Sequence, residues 1–130
     1  WNELEVLSIL SWCSSGIHPY LTRINNPGIV CDVSESLPSI IGRAVEAIEE
    51  CLRIADHMLQ GKTHFFARFT AADAHFFWCC RRANQFGIDV ARYSKVETHF
   101  KNMLNRVSVK NALEFETKVL AGFRERDKGR

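Results

Sequence analysis

No apolar run in this chain approaches the roughly 20 residues that a membrane-spanning helix needs. Its start also lacks the charged, apolar and small-residue succession of a signal peptide. Charge of one sign is equally scarce. A formal net charge of +2 gives no electrostatic case for nucleic acid or an anionic membrane. The basic tail over residues 124–130 is interrupted by Glu125 and Asp127 and reads as a solvated end. Among the five cysteines there is no C-x-x-C pair, the number is odd, and most lie in apolar surroundings. That usage points to a reducing, cytoplasmic home in which thiols serve as small hydrophobes. Strand alternation, internal repeats and low-complexity segments are absent too. Methionine does not open the chain, which begins Trp1-Asn2, as expected of a piece of a longer protein.

What remains is helical periodicity. At 130 residues, 46% of them hydrophobic, the chain has the apolar mass for one ordinary core. Val6, Ile9, Leu10, Cys13, Ile17, Tyr20 and Leu21 recur at i, i+3, i+4, i+7 and predict a first amphipathic helix. Pro19 is expected to kink or end it, and Asn25-Asn26-Pro27-Gly28 to form a loop. A second helix starts near Ser36 and tolerates Pro38 in its first turn. Its stripe is Leu37, Ile40, Ile41, Ala44, Ile48, Leu52, Ala55 and Leu59, closed by Gly61 as a left-handed cap. A third helix spans about 70–86 and stops at Gly87. A fourth covers about 94–106 with Val96, Phe100, Met103 and Leu104 on one side. A fifth begins near Ser108 and uses Val109, Ala112, Leu113, Val119 and Leu120. The expected fold is an all-α bundle of about five helices, with 1–130 forming a single domain.

The third helix carries the sharpest local signal. Thr70 is placed to N-cap it, and Asp73, three residues on, can reach back to the Thr70 backbone N–H. The carboxylate then also sits on the positive end of the helix dipole. Phe76, Phe77, Trp78, Cys79 and Cys80 follow and leave no polar face, so this helix is expected to be the buried centre of the bundle. Thr70 and Asp73 are read as structural residues.

The order of these signals resembles the C-terminal, all-helical domain of glutathione S-transferases. The elements that carry it are a long helix ending at Gly61, then Phe69-Thr70-Ala71-Ala72-Asp73 and a buried helix. Gly87-Ile88-Asp89, Tyr93 and a helix closing at Arg106 complete the order. Most of the likeness lies in 61–116. Ile17-His18-Pro19, with Arg23 and Pro27 following, is similar to bacterial, beta-class-like members. The chain departs from the family pattern at Ser94 and Val107, where proline is usual. It departs again at Gly16 and Pro19, where an acidic residue and a lysine often flank the histidine.

The resemblance implies a two-domain protein whose N-terminal thioredoxin-like domain, not in this chain, holds most of the glutathione site and the catalytic residue. Glutathione would be a co-substrate held mainly by that domain. These helices would wall a site for a small hydrophobic electrophile, in a detoxifying, cytoplasmic, homodimeric transferase. His18 is the candidate for a chemical role, since the family pattern faces a histidine here toward glutathione, where its imidazole can hydrogen-bond a thiolate or peptide group. Its other reading is a helix-end residue satisfying terminal carbonyls. Trp12, Cys13, Gly16 and Tyr20 are placed on one helical face as pocket candidates, with Gly16 allowing close approach. Arg82, with Arg81 and Asn84, falls where the family's pocket residues lie. The two arginines are expected first in ion pairs with the other domain.

Other chemistry is weaker. Adjacent Cys79 and Cys80 point about 100° apart on a helix and cannot bridge. His75 and Cys79 stand at i, i+4, but no second pair completes a metal set, so no metal is expected. Two functional classes stay open: the transferase, whose isolated 130 residues are expected to be inactive, and a non-catalytic protein-interaction module of the same shape.

Overall fold

The computed structural model describes Glu3–Asp127, with side chains described as far as Phe123. The solvated end expected over 124–130 lies outside the described side chains. All elements among the described residues are helical, and they form five rods. The first rod is compound. Helix α1 (Glu3–Ser11) runs into a π-helical segment (Trp12–Ile17), which runs into α2 (His18–Asn25). The other four are α3 (Leu37–Met58), α4 (Ala71–Gln85), α5 (Ser94–Asn105) and α6 (Val107–Asp127). Short 3₁₀ turns fill the connections.

Pro19 neither ends nor breaks the first rod, contrary to expectation. A proline inside an α-helix lacks an N–H and drives its ring into the carbonyl four residues back, here that of Ser15. The preceding turn widens instead, and the His18 N–H donates to the carbonyl of Cys13, five residues back. The Ser14 and Ser15 hydroxyls also donate to the Ser11 carbonyl, at 3.1 and 2.6 Å. His18 therefore opens α2 and does not stand at a helix C-terminus, so the helix-end reading of its imidazole falls away.

The remaining ends follow their sequence signals. Ser36 precedes α3, with Pro38 in the first turn. Ala44, Ile48, Leu52, Ala55 and Leu59 form its buried face, joined by Cys51. Gly61 takes φ +70° and Gly87 φ +81°, a region that a Cβ disfavours. After α4, the Ile88 N–H reaches back to the Ala83 carbonyl at 3.0 Å and the Gly87 N–H to that of Asn84 at 3.1 Å, a Schellman closure. The first amides of α5 are capped from α3: Asp56 Oδ1 accepts from Lys95 and Val96 at 2.7 and 3.2 Å.

Helix α4 is central but not enclosed all round. Ala72, Asp73, Phe76, Phe77, Cys79, Cys80 and Ala83 are buried, whereas Ala74 and Gln85 are exposed and His75, Trp78, Arg81 and Arg82 half-buried. The expectation of a helix without an open side is corrected, because α2 and α6 meet that strip only at its edges and leave a cleft along it. The apolar stripe of α6 is likewise not core. Val119 and Leu120 are 38% and 48% exposed, and Phe115 and Phe123 more so. The helix packs chiefly on α5, and its Glu116 reaches Arg81 of α4.

Asp73 does more than cap. Its side chain is fully buried. Oδ2 accepts from the Thr70 N–H at 2.8 Å and the Thr70 hydroxyl at 3.1 Å. Oδ1 accepts from the Phe65 N–H at 3.0 Å and from His99 Nε2 at 3.1 Å. A carboxylate only accepts, so Nε2 carries the proton in that contact. Burial pushes the Asp73 carboxyl upward, but hydrogen bonds from His99, Phe65 and Thr70 outweigh it and hold it below the ordinary carboxylate range.

Replacing Asp73 by Ala strands these donors in the core and is expected to cost about 3–5 kcal/mol in denaturant unfolding. The native carboxyl is depressed, so its contribution is complete above the unfolded value of about 3.9 and is lost as pH falls through the lower native value. The stability gap between wild type and variant should therefore begin to narrow as pH falls below about 4; a gap that does not change contradicts the assignment.

Candidate functional site

The open strip of α4 faces one edge of α2, and a cleft of about 260 Å³ lies between them. His18, Leu21, Thr22 and Asn25 reach it from α2 because i, i+3, i+4 and i+7 share a helix face. Trp78, Arg81, Arg82 and Gln85 reach it from α4 by the same spacing. Glu116 of α6 closes one end.

The exposed His18 ring lies 4.7 Å from the Trp78 ring, tilted by 52°, and edge-on to His75 at 6.5 Å. Burial, and then the neighbouring His18, lower the pKa of His75 and disfavour its cationic form. Leu21 supplies a buried floor. The two arginines behave differently. Arg81 donates to Glu116 Oε2 at 3.0 Å, so this chain itself supplies it with a carboxylate partner. Arg82 donates to the neutral Gln85 Oε1 at 2.6 Å and lies 4.8 Å from the Phe86 ring centroid. No described carboxylate stands within ion-pair distance of Arg82.

Of the residues singled out from sequence, His18 and Arg82 meet in this cleft; Trp12, Cys13, Gly16 and Tyr20 do not line it. Trp12 is half-buried and stacks on Phe76 at 6.2 Å and 14°. Gly16 makes room for that indole: a Cβ there would stand 2.8 Å from Trp12 Cδ1. The close approach expected at Gly16 is thus to the chain's own tryptophan. Cys13 is fully buried against the Cys79 thiol. Tyr20 turns toward α3, with the Arg23 guanidinium 4.9 Å from its ring centroid and Ile40 and Ala44 nearby. The physical reason is the π turn. It inserts a residue into the α ladder, so residues before it rotate relative to those after it, and a stripe counted at 3.6 residues per turn breaks between Gly16 and His18.

No nucleophilic thiol serves the cleft. The contact with Cys13 and burial raise the pKa of Cys79, and burial is the largest cause of the upward shifts of Cys80 and Cys51. His75 turns outward to His18 and Trp78 while Cys79 turns inward, so their i, i+4 spacing brings no common ligand set. Among the described residues no three His, Cys, Asp or Glu side chains gather as a metal set. No described helix is long and apolar enough to cross a membrane.

The missed cleft members Thr22, Asn25 and Gln85 had a readable signal: the first two repeat His18 on its face, and Gln85 repeats Arg81 and Arg82 on theirs. Glu116 had none, since its approach depends on how α6 is oriented beyond its junction with α5.

The fold is an all-helical bundle of the glutathione-transferase C-terminal-like type. A solved counterpart is a glutathione transferase from Pseudomonas putida, whose crystal structure holds one glutathione disulfide per subunit. The match has a TM-score of 0.71 and covers 85% of this chain and 50% of that one, at 18% sequence identity. This chain thus spans half the length of that transferase. The chain matches no protein-family model and no curated protein.

Two substitutions check this geometry. Gly16→Ala should displace the Trp12 indole, shift its fluorescence and cost about 1–3 kcal/mol by overpacking; an unchanged spectrum contradicts the contact. Glu116→Gln should alter global stability by less than about 1 kcal/mol, the pair being partly exposed, while speeding amide exchange along α6. Unchanged exchange there means the Arg81 bridge does not anchor the helix.

Proposed function

We propose that this chain is the helical, co-substrate-binding domain of a glutathione transferase. It acts with a thioredoxin-like domain that holds most of the glutathione site, in a cytoplasmic homodimer. The observation that supports this best is the concave strip between α2 and α4, which brings His18 beside the Trp78 ring on a bundle of transferase type.

The chemistry asked of such a site is modest. The partner domain keeps the glutathione sulfur as a thiolate, and the helical wall brings a small electrophile within attack distance. His18 is exposed, so an imidazole N–H is free to reach the thiolate or a peptide group of glutathione. Leu21 and the Trp78 face exclude water from one side of the electrophile. With its core thiols raised and no nucleophile at the cleft, the chain supplies binding and orientation, and alone it is inactive.

A second reading, a non-catalytic interaction module, draws on one observation: the exposed Phe115, Leu120 and Phe123 along α6. Glutathione-affinity chromatography separates the two. The two-domain protein should be retained and eluted by free glutathione, and the isolated 130 residues should pass through. In the retained protein, His18→Gln should lower kcat/KM for conjugation about tenfold, the worth of one hydrogen bond. A two-domain protein that flows through, or a variant with unaltered kcat/KM, removes the transferase role given to this cleft.

A further inference from the structure

We infer that the cleft selects, as its electrophilic co-substrate, a planar aromatic molecule bearing a carboxylate, with Arg82 as the specificity-determining residue. This rests on the transferase reading above and narrows it to a substrate class.

Size is the first constraint. A cleft of about 260 Å³ falls below the ~300–1,000 Å³ of sites that enclose drug-sized ligands. It suits one substituted ring better than a long chain or a peptide. Shape is the second. The Trp78 and His18 rings, 4.7 Å apart and tilted by 52°, line the cleft together with buried Leu21. Offset or edge-to-face packing on such surfaces favours another planar ring over a branched aliphatic group.

Charge decides the rest. Arg81 and Glu116 neutralise each other at 3.0 Å. Arg82 faces the same space with one of its five N–H groups on the neutral Gln85 amide and no described carboxylate beside it. The Phe86 ring, its centroid 4.8 Å from Arg82 Cζ, helps hold the guanidinium without cancelling its charge. A fixed guanidinium edge matches the geometry of a carboxylate and holds it in paired, charge-assisted hydrogen bonds. A neutral amide of the same outline accepts only at its carbonyl and turns N–H groups toward a donor. The cleft therefore discriminates between two ligands of one shape by charge.

The test uses the full 130-residue chain and a matched pair of probes, 4-chloro-3-nitrobenzoate and 4-chloro-3-nitrobenzamide, titrated calorimetrically at fixed ionic strength. The benzoate should bind about tenfold tighter than the benzamide. Arg82→Gln should bring the benzoate down to the benzamide level and leave the benzamide unchanged, while Arg82→Lys should keep part of the preference. Equal affinities in the wild type, binding of neither probe, or Arg82→Gln weakening both probes alike would overturn the inference. Loss of the preference together with a weaker grip of Arg82→Gln on the thioredoxin-like domain would overturn it too, assigning the charge to domain pairing. Equal probe affinities in a protein still retained on glutathione sink the carboxylate preference alone. A kept preference in a protein that glutathione does not retain upholds the preference and sinks the transferase role.

Discussion

A single buried carboxylate organises this bundle. Ionised Asp73 has no access to water, and such a charge is tolerated only when its lone pairs are filled by well-placed donors. They come from three places: Thr70 at the helix start, Phe65 in the preceding loop and His99 in the middle of α5. One residue thus fixes where α4 begins, how the 62–70 loop folds over it and how α5 lies against it. The aromatic surroundings lock the same node. Phe65 and Phe76 pack around His99 with ring centroids 5.7 Å from it, and the Arg106 guanidinium at the end of α5 lies 3.8 Å from the Phe69 ring centroid.

With α4 held at its N-terminus, its far half is free to be asymmetric. The buried side packs Cys79, Cys80 and Ala83 into the core, and the other side offers Trp78, Arg81, Arg82 and Gln85 to α2. The facing residue, His18, owes its position to the π turn, which absorbs Pro19 without breaking the rod. A π turn inside an α-helix costs ladder regularity and recurs at functional sites. Here it puts an exposed imidazole on the cleft edge while Cys13 and Ile17, just before it, stay in the core.

Much of the fold was legible in the sequence because its signals are local. The Thr70–Asp73 box, the positive-φ glycines at 61 and 87 and the 3.6-residue stripe of α3 each specify their own element. The site was less legible. Across Trp12–Ile17 the ladder changes period, and no composition rule marks a π turn, so the face that Trp12, Cys13, Gly16 and Tyr20 share at 3.6-residue spacing does not persist through it. The α6 stripe misled for the opposite reason: amphipathic spacing reports that a helix has an apolar face and is silent on what covers it. Arg81 and Arg82 differ only in what stands opposite them, a tertiary fact that neighbouring positions cannot carry.

The central claim is that the His18–Trp78 cleft stands beside the glutathione sulfur in the two-domain protein. It is tested most directly by a crystal structure of that protein with glutathione bound. The expected result places a His18 ring nitrogen within about 3.5 Å of glutathione, with the cleft opening toward the sulfur. A glutathione bound on the far side of the bundle, or a cleft sealed by the second domain with His18 buried against protein, would contradict it.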